Sequence, residues 1–144
     1  MYKKILVPLD GSPLAEAVLP HAEALAKSEG AEIILLRVAL TPDEGVFIHN
    51  PALAKTIIKE IEEETEDYME AEVAKLKQEG IRVSGITRDG FVPDTILDVA
   101  EETHADVIAM STHGRTGVKR WLLGSVADRI VHYSHVPVML IHPN

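Results

Sequence analysis

The residues best suited to chemistry lie between Val107 and Val131. An apolar run, Val107 to Met110, breaks into Ser111-Thr112-His113-Gly114-Arg115-Thr116-Gly117, and helical periodicity resumes at Gly124-Ser125. That pattern predicts a buried strand, a loop and the start of an amphipathic helix. The first amides of a helix have no intrahelical acceptors, and the aligned peptide dipoles add roughly half a positive charge there, so the arrangement suits an anion. The side chains agree: Arg115, Lys119, Arg120 and Arg129 against Asp128 make a local charge of +3 in a chain of formal charge −9. A positive pocket on an acidic protein suits a small polyanion, with nucleotide phosphates the first candidate. A nucleic acid would need a far broader basic surface and is not expected as a partner.

Each motif also has a plainer reading. Asp10-Gly11-Ser12-Pro13 fits a turn and helix cap, and Ser125 with Asp128 resembles a capping box that would compete for the same amides. Arg115, Lys119 and Arg120 fit solvated charges, and Trp121 to Leu123 fit packing residues that fasten the loop. His132, His135 and His142 are conceivable metal ligands, but histidines in a last helical turn also suit the dipole there. His113 is the one histidine inside the loop, near the expected phosphates or shaping the loop itself. The chain has no Gly-x-x-x-x-Gly-Lys-Ser/Thr loop, no Gly-x-Gly-x-x-Gly after its first strand and no Gly-x-Ser-x-Gly elbow. Neither a P-loop ATPase, a dinucleotide dehydrogenase nor an α/β-hydrolase is supported.

The elements that must position these residues follow from the order of patterns. Ile5 to Leu9 predicts a first strand, and Ser12 and Pro13 open a helix running to about Glu29, with Gly30 as its stop. Ala31 to Val38 predicts a second strand, apolar on both faces as in a parallel sheet. Ala39 to Pro51 is expected to be a long loop. Ile58, Ile61, Thr65, Met69, Val73 and Leu76 predict a helix from Ala52 to Glu79, with the acidic run Glu60 to Asp67 mostly facing solvent. Ile81 to Arg88 is a weaker strand near an edge, and a helix carrying Ile96, Leu97, Ala100 and Thr103 follows. Ala105 to Ser111 is a fourth strand, Ser125 to about Tyr133 a helix, and Val136 to Ile141 a fifth strand demoted to an edge by Pro137. The sum is an α/β fold: a doubly wound, five-stranded parallel sheet, Rossmann-like, with helices on both faces. Ligands in such sheets sit beyond the carboxyl ends of strands where the order reverses. If strands one and four are neighbours, Asp10-Gly11-Ser12 lies beside Met110 to Gly114.

The totals fit one domain over residues 1–144, of 144 residues and 46% hydrophobic content. There are no cysteines, which removes thiol catalysis, thiolate zinc sites and disulfides and suits a reducing cytoplasm. No apolar stretch approaches the ~20 residues that span a bilayer. The edge strand Val136 to Ile141 has no lysine to blunt it, so a homodimer through that edge is expected.

Over essentially its full length the chain resembles the universal stress proteins, and specifically their adenine-nucleotide-binding branch. The likeness rests on Ile5-Leu-Val-Pro-Leu-Asp-Gly-Ser12, on Ala105-Asp-Val-Ile-Ala-Met110, on Ser111 to Asp128 and on the closing Val136-Pro-Val-Met-Leu140. ATP-binding members carry Gly, two residues, Gly, nine residues, then Gly and Ser or Thr. This chain has Gly114, nine residues, Gly124 and Ser125, but Ser111 in the first place, where a Cβ restricts backbone conformation and phosphate approach. The resemblance implies that Asp10 reaches the ribose, that Pro8 and Leu9 line the adenine side, and that Val38 meets the adenine edge through its backbone. It also implies that Met110, Ser111, Thr112, His113, Gly114 and Arg115 pass under the ribose and phosphates, and that Gly124, Ser125 and Val126 hold the terminal phosphates. The implied cofactor is ATP, or AMP or ADP, with Mg²⁺ or Mn²⁺ as companion ion.

The first expectation is thus an adenine-nucleotide switch in stress response, held at the carboxyl ends of strands one and four. The alternatives are a dimeric interaction module of the same fold that binds no nucleotide, and a slow ATPase. Gly124→Val is expected to abolish binding under the first and to be silent under the second.

Overall fold

The computed structural model describes residues 1–39, 44–114 and 123–143. In order, the elements are β1 (Lys4–Leu9), α1 (Pro13–Glu16), α2 (Leu19–Glu29), β2 (Glu32–Ala39), α3 (Glu44–His49), α4 (Pro51–Gln78), β3 (Val83–Asp89), α5 (Val92–Glu102), β4 (Val107–Ser111), α6 (Ser125–Tyr133) and β5 (Val138–Ile141). The five strands form one parallel sheet in the order β3-β2-β1-β4-β5. The chain winds outward from β1 to β3, then restarts on the other side with β4, so the order reverses between β1 and β4.

Strand side chains alternate between two cores. Ile5, Val7, Leu9, Ile33 and Leu35 pack with Leu19 and Ala22 of α2 and with Met69 and Leu76 of α4. Leu6, Ile34, Leu36, Ile108 and Met110 face Ile96 and Val99 of α5 and Ala127 and Ile130 of α6. Both faces of β1, β2 and β4 are covered, which is why these runs are apolar without alternation. β3 and β5 are edges, as expected, although β5 starts at Val138. Pro137 lies just outside it, with its carbonyl accepting from the Ile108 amide at 3.0 Å.

Two expected elements differ. The single helix to Glu29 is two, because Pro20 cannot donate to the carbonyl four residues back and its ring crowds that turn. Its start and stop are as expected: the Ser12 hydroxyl accepts from the Ala15 amide, Pro13 follows, and Gly30 is left-handed with φ 65°. The expected loop from Ala39 to Pro51 contains α3, which packs on α4, while β2 runs on to Ala39. Asn50 caps α4 through its side chain on the Leu53 amide, and Pro51 opens the first turn.

Asp106 fastens the base of the sheet. Its carboxylate accepts from the amides of Lys3 and Lys4, both at 2.9 Å, where β1 begins beside β4. These two bonds, despite a small opposing cost of burial, hold its carboxyl below the ordinary value of 3.8. A depressed folded pKa means that the carboxylate stabilises the fold above the unfolded pKa and that this contribution is lost as pH falls through the folded value. Asp106→Ala should therefore lower the urea midpoint at pH 7, and the gap to the unaltered protein should close on acidification below about pH 3.8.

Candidate functional site

The reversal between β1 and β4 opens a cleft of about 370 Å³ at the carboxyl edge of the sheet, within the size range of small-molecule sites. Pro8, Leu9, Asp10, Val38, Met110, Ser111, Thr112, His113, Gly114, Gly124, Ser125 and Val126 all line it. These are the positions singled out in the sequence, except Arg115, which lies outside the described residues together with Lys119 and Arg120.

The tip of β1 is a tight turn. Gly11 has φ 85°, and one Asp10 carboxylate oxygen accepts from the Ser12 amide at 2.9 Å and from its hydroxyl at 2.5 Å. The turn-and-cap reading thus holds for that oxygen and for Ser12. The other carboxylate oxygen faces Gly114 so closely that a Cβ there would overlap it. The segments around positions 10 and 114, far apart in sequence, do meet.

The end of β4 is polar and buried. Ser111, Thr112 and His113 are 5%, 1% and 7% exposed. Ser111 is the last residue of the strand, with a side chain that accepts from the His113 amide at 3.4 Å. Its φ is not positive, so its backbone needs no glycine. The Thr112 hydroxyl sits 2.9 Å from Nδ1 of His113 and 3.4 Å from Nδ1 of His142, while the Thr112 amide donates to the Ile141 carbonyl.

The start of α6 corrects the capping-box expectation. Gly124, extended at φ −62° and ψ 157°, is the N-cap, and among the described residues no side chain caps this helix. Ser125 occupies the first helical position and cannot act as the cap. The Asp128 carboxylate instead lies 3.7 Å from Nδ1 of His132 one turn on, and that ring nitrogen stands 2.7 Å from the Asp128 carbonyl. Among the described residues no capping side chain competes for the first amides of α6, and Ser125, Val126 and Ala127 line the cleft. Gly124 is needed for packing: its amide donates to the Thr112 carbonyl at 2.9 Å, and a Cβ would stand 2.8 Å from that oxygen. A bulky residue there would disturb the fold whatever the ligand, so Gly124→Val does not separate the nucleotide reading from the interaction-module reading.

The charges differ from expectation as well. Arg129 turns outward to Asp94 at 3.0 Å and lies over Phe91 and Tyr133, away from the cleft lining. Arg37, within the apolar run of β2, is buried in the cleft wall. Its guanidinium pairs with Glu64 of α4 at 3.0 Å and stacks 5.0 Å from the centre of Tyr68. Burial, reinforced by Glu16 and Glu72, pushes the Tyr68 hydroxyl above its ordinary value and keeps it protonated. A lone arginine at a core-facing strand position was the signal that could have found this wall. Ile61 and Thr65 of α4 and Val92 and Ile96 of α5 complete it.

Val38 owes its place to sheet register. The Glu32 amide donates to Lys3 and that of Ile33 to Arg82, so alternate residues of β2 address β1 and β3. Val38 falls on the β1 side, and β1 ends at Leu9, opposite Arg37. Its carbonyl therefore points past the strand tip into the cleft.

Among the described residues no group of three or more histidines, cysteines and acids is placed to hold a metal, and no helix is long and apolar enough to cross a membrane.

This geometry belongs to a known class. Residues 1–142 match the universal stress protein family, and the chain belongs to that family. It is 34% identical over 143 residues to universal stress protein MJ0531 of Methanocaldococcus jannaschii, covering 98% of this chain and 82% of the relative. The solved structure of MJ0577, a universal stress protein from the same organism, superposes with TM-score 0.89 at 32% identity, covering 100% of this chain and 98% of that one. A family member from Arabidopsis thaliana, solved with AMP bound, shares the fold at TM-score 0.72 and 19% identity, covering 99% and 92%.

Gly124→Ala should unfold at lower urea than the unaltered protein in nucleotide-free buffer, by roughly 1–3 kcal/mol, the usual cost of crowding a packed position.

Proposed function

We propose that the chain binds an adenine nucleotide, ATP or its relatives AMP and ADP, across this cleft and serves as a stress-response switch whose liganded state is read by partners. The observation that carries the reading is a helix start with no side-chain cap among the described residues, facing the same cleft as the tip of β1. Amides and dipole at the start of α6 supply what phosphates need. The Val38 carbonyl, an acceptor at the tip of β2, suits the exocyclic amine of adenine, and Asp10, at the tip of β1 between β2 and β4, suits the ribose hydroxyls. AMP in the Arabidopsis relative supports the same class of ligand.

A companion Mg²⁺ or Mn²⁺ would be held by phosphate oxygens with Asp10 as its protein carboxylate, the usual pattern for a hard cation on a nucleotide. The other described carboxylate in the cleft, Glu64, is engaged by Arg37.

Purified protein extracted under denaturing conditions should release adenine nucleotide on chromatography; protein that neither carries nor takes up ATP or AMP would refute the reading. Ser125→Pro is the sharper probe. Proline is favoured at the first helical position, and Gly124 before it is already extended, so the change deletes one amide and keeps the helix. Affinity for ATP should fall roughly tenfold, the worth of one charge-assisted bond, with a smaller loss for AMP.

The same proposal includes a homodimer. β5 is an edge strand of four apolar residues, Val138 to Ile141, each only half-buried, and Val131 and Tyr133 of α6 are exposed. An unblunted apolar edge pairs with its own copy about a two-fold axis. Sedimentation at micromolar concentration should show a dimer, and Leu140→Lys a monomer with intact helical circular dichroism.

A further inference from the structure

Thr65 stands on the core-facing stripe of α4, 3% exposed, and lines the cleft beside Ile61. Its hydroxyl has no hydrogen-bond partner among the described residues. This is unusual within the molecule itself. The hydroxyls of Thr56, Thr95 and Thr103 each bond back to the carbonyl four residues earlier, at 3.1, 2.7 and 2.7 Å, the standard way for a helical threonine to satisfy itself. Thr65 does not, although it is the most deeply buried of the four. A buried hydroxyl without a partner is costly, and such groups call for a specific account.

Its surroundings narrow that account. On the α4 wall the other polar side chains, Arg37 and Glu64, are engaged with each other. The facing wall from α5 is apolar, Val92 and Ile96. α4 packs on β2 and β3, so this wall lies at the β2 end of the cleft, with Val38, and away from the start of α6. Among the described residues two buried hydroxyls have no partner, those of Thr65 and Tyr68, and of these Thr65 lines the cleft, where a flat ring entering between Ile61 and Ile96 would meet it.

We propose that Thr65 is a specificity-determining residue that hydrogen-bonds the purine base of the bound nucleotide, an assignment that rests on the nucleotide reading above. Thr65 lines the cleft while its hydroxyl is closed off from solvent, and rotation about χ1 is the freedom by which it would meet the ligand. A hydroxyl both donates and accepts, so it meets a ring nitrogen or an exocyclic amine equally well. The ligand thus satisfies a group that no described residue satisfies.

The test is titration of ATP and of AMP against the unaltered protein, Thr65→Val and Thr65→Ser. Valine keeps the shape and removes the hydroxyl, and serine keeps the hydroxyl. Thr65→Val should weaken both nucleotides by the same factor, roughly five- to tenfold, the worth of one net hydrogen bond, because both carry the same base. Thr65→Ser should stay within about twofold of the unaltered protein. Nucleotide-free Thr65→Val should melt no lower than the unaltered protein. Thr65→Val with unaltered affinity, or a loss seen with ATP and spared with AMP, would overturn the assignment while leaving the nucleotide reading in place. An unaltered protein that binds neither nucleotide would overturn both.

Discussion

The site depends on one close approach: the Gly124 amide donating to the Thr112 carbonyl at 2.9 Å, with no room for a side chain between them. This bond sets the start of α6 against the end of β4. A second approach, Gly114 against the Asp10 carboxylate, sets the exit of β4 against the tip of β1. Strand order alone opens a crevice between β1 and β4. At both places a Cβ would have to displace an oxygen, so the two contacts hold the segments that line the cleft close together. Backbone amides aimed by packing are fixed donors that need no side-chain ordering when a ligand arrives.

The polar residues around those contacts are mostly engaged with one another. Ser111 supports the His113 amide, Thr112 links His113 to His142, and one oxygen of Asp10 closes its own turn. Burying such groups costs free energy unless they are paired, and pairing makes them scaffold. Serine at 111 then has a plain physical account. The position is the last of a regular strand, its backbone is unstrained, and its hydroxyl shapes the loop that follows. A glycine there would free the chain at the point where the neighbouring contacts need it held.

Most of the architecture was legible in the sequence because it rests on local rules. Apolar runs of strand length, Ser12-Pro13, Gly30 and the periodicity of α4 and α6 each state their role within a few residues. α3 was not legible, since six residues cannot sustain a helix alone and this one leans on α4. The break at Pro20 was legible and passed over, as the apolar periodicity ran on across it. In the site, the meeting of positions 10 and 114 followed from strand adjacency. The helix from Ser125 was legible and starts there, and the rival capping-box reading of Ser125 fails by a single position, because Gly124 is the N-cap. Arg37 with Glu64 was invisible for another reason: the partners are 27 residues apart on different elements, and only the packing of α4 over β2 brings them together.

The two ends of the cleft are chemically unlike, and this asymmetry selects among ligands more firmly than either end alone. Toward α6 lie amides under a helix dipole, which favour negative charge. Toward α4 and α5 lie Ile61, Val92 and Ile96, which favour a flat apolar body, with the Arg37–Glu64 pair already neutral as a unit. A simple inorganic anion would satisfy the first end and leave the second wet. A purely apolar ligand would fill the second and strip water from donors it could not replace, at the cost of unmade hydrogen bonds. Only a molecule with an anionic end and an apolar, hydrogen-bonding plate, joined at a fixed distance, relieves both. The sheet sets that distance, because the β2 tip and the α6 start stand on opposite sides of the β1–β4 switch.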